Sequence, residues 1–117
     1  MNFDHERLDV YRSALEALDL CDEIAEHMPA GRAHLKDQRD RAATSVVLNV
    51  AEVAGEFSRD EKRRFYRIAR RSATETAAIL HVVARRGHAP EQQISQARET
   101  LRRVVSMLIR MTNASSH

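Results

Sequence analysis

From Ala42 to Ala54 the chain reads AATSVVLNVAEVA, with Glu52 its one charged residue, in a protein of 117 residues of which 31% are charged. At about 100° per residue, Ala42, Val46, Val50 and Val53 share one helical face, with Asn49 at its edge. Thr44, Val47, Leu48 and Ala51 cover much of the other side. A helix that is apolar nearly all round is a buried helix. A small bundle covers only one side of its own helix, so a second cover is needed. The simplest is a neighbouring subunit, which makes Val47, Leu48 and Ala51 the expected oligomer interface.

The remaining composition suits packed helices. The chain fits one domain, residues 1–117, with a modest core. Aromatic residues make up 4% with no Trp, so aliphatic side chains must fill that core. The single cysteine, Cys21, permits no internal disulfide and reads as a packed thiol among Leu18, Ile24 and Ala25. No signal peptide is evident, and no apolar run approaches the roughly 20 residues that span a bilayer. The expected location is the cytoplasm, with no membrane partner.

Taken in order, periodicity predicts four helices. The first covers about 4–27, with Leu8, Tyr11, Leu15, Leu18, Cys21, Ala25 and Met28 at intervals of three or four. Met28-Pro29-Ala30-Gly31 breaks it. The second runs over about 34–54 and ends at Gly55. Ser58-Arg59-Asp60-Glu61 is a capping box, with Phe57 placed as a staple, so the third helix spans about 59–86. Gly87-His88-Ala89-Pro90 is the next break. In the fourth helix, about 90–112, Ile94, Ala97, Leu101, Val104, Val105, Leu108 and Met111 form one stripe. Residues 113–117 are expected to fray. Amphipathic helices joined by short breaks give an all-α, antiparallel up-down-up-down four-helix bundle.

Three pieces of the chain resemble a known family. Phe3, Leu8-Asp9-Val10-Tyr11 and Ala14 form the first piece. Gln38, Arg41-Ala42-Ala43, Ser45-Val46 and Asn49-Val50-Ala51-Glu52 form the second. Ser58, Glu61, Arg64-Phe65, Ile68-Ala69-Arg70, Ser72 and Glu75 form the third. In this order and spacing they resemble the four-helix-bundle proteins encoded in intervening sequences of bacterial 23S rRNA genes. The accessory variability determinant proteins of diversity-generating retroelements belong to the same wider family. The resemblance implies a homopentameric ring with no established enzymatic activity. In the retroelement branch it implies binding to nucleic acid and to a reverse transcriptase. Two departures are visible. The family's Glu-Gly-aromatic-Gly-Arg is Glu52-Val53-Ala54-Gly55-Glu56 here, and its Gly-Ser is Arg71-Ser72. Loss of one Gly extends the second helix, and Glu56 replaces the basic group at that corner.

Catalytic patterns are poorly supported. No histidine has Glu three positions before it, as a di-metal bundle requires. There is no zinc-ligand cluster, P-loop or dinucleotide glycine motif, so no cofactor or metal is expected. Arg39, Gln38 and Asn49 fall on or beside the inward face of the second helix, and Glu61 and Glu75 beside that of the third. Buried charge is costly unless paired. An Arg–Glu network is therefore expected, Arg39 or Arg41 facing Glu61 or Glu75. Its role is register or subunit geometry, with an active site the lesser alternative.

The net charge of +2 hides a division that bears on partners. Residues 1–30 hold two arginines against eight acids, whereas residues 58–86 hold nine basic residues against three acids. Arg59, Arg63, Arg67, Arg70, Arg71 and Arg85 project from the third helix opposite its apolar face. Seventeen of the 19 basic residues are Arg, which favours bidentate phosphate contacts. Three readings stand: this ribbon binds RNA or DNA without sequence preference, pairs with the acidic first helix of another subunit or with a protein partner, or is a solvated face. The second reading makes the protein a structural adaptor or scaffold.

Overall fold

The computed structural model describes residues 5–29, 33–55 and 58–114. Four helices and no strands are present among them: α1 (His5–Ala25), α2 (Ala33–Gly55), α3 (Arg59–Arg85) and α4 (Glu91–Ala114). Each helix packs against two neighbours, in the cycle α1–α2–α3–α4–α1, and diagonal pairs barely touch. Connections this short force consecutive helices antiparallel, giving an up-down-up-down bundle of 47 × 22 × 20 Å.

Local chemistry sets the helix ends. Ser58 is extended (φ −82°, ψ 136°), and its hydroxyl accepts from the Glu61 amide at 3.3 Å. Asp60 and Glu61 in the first turn and Arg85 in the last complement the helix dipole. At the far end of α3 the His88 amide donates to the Val83 carbonyl and the Gly87 amide to that of Ala84. This Schellman arrangement requires a left-handed residue, and Gly87 supplies it at φ 67°. The N-terminal start at Asn2 or Asp4, Ala30-Gly31, Glu56, the Phe57 staple and residues 115–117 lie outside the described residues.

The core is aliphatic. Val10, Ala14, Ala17 and Ile24 of α1 meet Val46, Val50 and Val53 of α2. Leu80 and Val83 of α3 join Leu101, Val104 and Leu108 of α4. The α2–α3 contact is the most extensive, and Ala42 and Ala43 of α2 and Ala69 of α3 are small and buried. Across it the Ser45 and Ser72 hydroxyls hydrogen-bond at 2.7 Å. Thr76 and Thr100 are buried without penalty, because each hydroxyl donates to the carbonyl four residues earlier.

Helix α2 departs from the all-round apolar reading. Val47 is 7% exposed and belongs to the bundle's own core, so it is not available to a neighbouring subunit. The buried arc extends from Val53 through Val50 to Val47, wide enough to take in a residue assigned to the outer side. What remains outside is a narrow strip of Thr44, Leu48 and Ala51. Leu48, at 61%, is its one large side chain.

Leu80 has no exposed surface. Leu80→Ala is therefore expected to cost about 2–5 kcal/mol, read as a fall in urea midpoint at unchanged slope. A loss under about 1 kcal/mol would mean that this core is not packed as described.

Candidate functional site

The arginine ribbon follows from the geometry of one continuous helix. The inward arc of α3 is set by Ala69, Ser72, Ala73, Thr76, Ile79, Leu80 and Val83, all buried. Residues offset by roughly half a turn must face away. Arg59, Arg67, Arg70, Arg71 and Arg85 are accordingly exposed, and Arg63 is half-buried. From Arg59 to Arg85 the ribbon spans about 39 Å at 1.5 Å per residue.

These arginines differ in how committed they are. Arg64, beside them, lies 3.9 Å from Glu61 and stacks over the Phe65 ring at 4.8 Å. No carboxylate of the described residues lies within ion-pair distance of Arg67, Arg70, Arg71 or Arg85. Arg67, Arg70 and Arg71 line a shallow depression with Thr74, Glu75 and Ala78. Arg85 and Arg86 flank a second, with Ala78, His81 and Val82. Both are open surface features suited to an extended partner rather than a small molecule.

The proposed Arg–Glu network between α2 and α3 does not form. Arg39 is buried (2% exposed), as its inward position required, but its partners are Asp22 of α1, at 3.5 Å, and the adjacent Asp40. Topology explains the difference. Arg39 sits near the α1–α2 connection, whereas Glu61 begins α3 at the opposite end of the bundle. Glu61 instead faces Arg64. Glu75 is nearer in height, yet it is exposed on the outer side of α3, and Arg41 is likewise exposed. Asn49 donates to the Ser45 carbonyl at 2.8 Å and to its hydroxyl at 3.1 Å, joining the Ser45–Ser72 contact instead.

The sequence marks Ser45 and Ser72 as small residues that permit close helix packing, but not their pairing across the two helices or Asn49's part in it. The only signal was three small polar residues on facing edges of two helices. Sequence reasoning also missed Asp22 as the counter-charge. Among the described residues no cluster of three or more His, Cys, Asp or Glu is placed to hold a metal ion. No described helix is long and apolar enough to cross a membrane.

Cys21 is fully buried, one residue from Asp22 and beside Arg39. Burial pushes its thiol up from 9.0 to about 11, and the guanidinium offsets only part of that. The folded chain therefore keeps a proton that the unfolded chain releases above pH 9. Stability from this group is complete below pH 9 and declines as pH rises toward 11, by at most about 1.4 kcal/mol per pH unit. Urea midpoints measured across this range should fall more steeply for the native sequence than for Cys21→Ala. Parallel curves would show that the thiol carries no such linkage.

The sequence model of the 23S rRNA-intervening sequence protein family matches residues 6–110. Among solved structures, the chain is similar to a protein of unknown function from the S23 ribosomal protein family of Bacteroides thetaiotaomicron. That match has a TM-score of 0.81 at 19% identity and covers 92% of this chain and 98% of the other. At that identity the likeness concerns the fold. No curated protein matches the chain. With nearly the whole bundle matched, and with the helices in the order that the three resembling pieces implied, the chain belongs to the 23S rRNA-intervening sequence protein family.

Proposed function

We propose that this protein is a non-enzymatic, self-associating helical bundle that binds RNA or DNA through the outer face of α3, without sequence preference. The observation that carries the reading is the set Arg67, Arg70, Arg71 and Arg85, exposed along one rigid helix with no carboxylate of the described residues in ion-pair range. A row of uncompensated cations is electrostatically unfavourable by itself and is relieved by a polyanion. Arginine donates to phosphate through two parallel N–H groups, which holds a backbone in place without reading bases.

Self-association rests on the Thr44–Leu48–Ala51 strip of α2. Leu48 is the most exposed large apolar side chain among the described residues. A closed ring of five, as the family resemblance implies, would repeat the arginine face around one particle. Weak contacts would then add through multivalency.

A second reading is favoured by the outer side of α1. Asp19, Glu23 and Glu26 are exposed there, as is Leu15. That acidic helix could receive the α3 arginines of another copy, or the arginines could recruit an acidic protein partner, making the assembly an adaptor.

Nuclease-treated protein should bind a random-sequence nucleic acid at low salt, with a log–log salt slope of about −4 for about four phosphate contacts. Arg67→Glu/Arg70→Glu/Arg71→Glu should abolish binding while light scattering shows an unchanged particle. Absence of wild-type binding at low salt refutes the nucleic-acid reading, and disassembly of the triple variant favours the inter-subunit one.

Leu48→Glu is expected to reduce the particle mass in light scattering with its helical circular dichroism retained. An unchanged mass would remove this strip from the interface.

A further inference from the structure

Thr74 borders two depressions at once. On one side it meets Arg67, Arg70 and Arg71. On the other it lines the groove between α3 and α4, together with Ala73, Ala77, Arg98, Arg102 and Val105. The two depressions therefore adjoin at Thr74. The arginines of α3 and those of α4 are two rows of a single surface.

The groove between these rows is open for a structural reason. The α3–α4 contact is the least extensive of the four neighbouring helix pairs. Its α3 wall is made of Ala73, Thr74 and Ala77, which leave room above the core residue Leu101. Packed helix axes lie about 8–10 Å apart. Arg98 and Arg102 line this groove, and Arg67 and Arg70 the depression beyond Thr74, so the two pairs stand on adjacent helices.

Two rigid rows suit a ligand with two fixed backbones. A single strand offers one flexible backbone, and proteins that prefer it add aromatic platforms on which bases stack. Tyr11, Phe65 and Tyr66 are instead packed against the core. We propose that the α3–α4 face binds double-stranded nucleic acid, with Arg67 and Arg70 on one phosphate backbone and Arg98 and Arg102 on the other. This rests on the nucleic-acid reading above and names its substrate class.

One residue restrains the site. The Arg102 Nε donates to Glu99 Oε1 at 3.0 Å, and its terminal nitrogen donates to the second carboxylate oxygen. That bond holds the Glu99 carboxyl below its ordinary value, so it stays ionised at neutral pH. Glu99 thus occupies Arg102 and places a negative charge beside the phosphate path. Arg98 has no such partner among the described residues.

The test is fluorescence anisotropy with the intact protein and a random-sequence DNA duplex of about 20 base pairs, the corresponding single strand, and an RNA duplex of equal length. The duplexes are expected to bind about ten-fold or more tighter than the strand at equal salt. Arg98→Glu should weaken duplex binding several-fold, and Glu99→Gln, which frees Arg102, should tighten it. Circular dichroism checks that both variants retain the fold. Equal or tighter binding of the single strand overturns the duplex assignment while leaving the nucleic-acid reading intact. Duplex binding unaffected by either α4 substitution overturns the second row. No binding of any probe overturns the nucleic-acid reading itself.

Discussion

The close approach of α2 to α3 is the constraint on which the rest of this bundle depends. Ala42 and Ala43 on one helix and Ala69 on the other are buried, and small side chains let two backbones come near. The Ser45–Ser72 hydrogen bond, 2.7 Å long, forms at one height of one helix against the other and so adds to the register that packing sets. Once that register is set, the direction of every other side chain on α3 is set too, because helical offsets of 100° per residue leave no freedom. The arginines face solvent because Ala69, Ser72, Ala73 and Thr76 face inward.

Charge inside the bundle is handled differently from charge on its surface. Arg39 is the largest fully buried side chain, and its guanidinium reaches carboxylates that are themselves exposed, Asp22 and Asp40. The whole Arg39 side chain is buried, with its Nε left without a hydrogen-bond partner, while the counter-charges stay in water, so the desolvation cost falls on the guanidinium alone. At the surface, Arg102–Glu99 and Arg103–Glu16 are exposed pairs of small energetic weight. Their significance lies in where they put positive and negative potential, which bears on association more than on folding. The α3 ribbon stands out against them because Arg67, Arg70 and Arg71 share one depression with no carboxylate of the described residues in ion-pair range.

Much of the site was legible beforehand because an exposed row on a long amphipathic helix is purely a matter of period. The ribbon from Arg59 to Arg85 needs no tertiary information once the apolar stripe of α3 is read. The same reasoning placed Arg39 inward. It failed on the identity of Arg39's partners because a pairing between helices depends on which ends of the bundle are shared. Glu61 lies at the far end from Arg39, and Asp22 at the near one. It also overstated how much of α2 is free. Val47 borders the inward arc, and only the actual placement of neighbouring helices shows that its side chain is covered within the subunit.

Sequence alone determined the four helices, their main breaks, the Ser58 cap and the family, since each is written in local spacing and in residue types with strong conformational preferences. Gly87, placed just past the α3 stripe, has the left-handed conformation that such a position favours. Tertiary structure decided what spacing cannot express. It joined Ser45 to Ser72, supplied Asp22 to Arg39, drew Val47 into the core, and laid Thr74 between two arginine rows. The physical reason is common to all four: each depends on the relative height and rotation of two helices. Those are settled by close packing over whole faces and not by any single residue's preference.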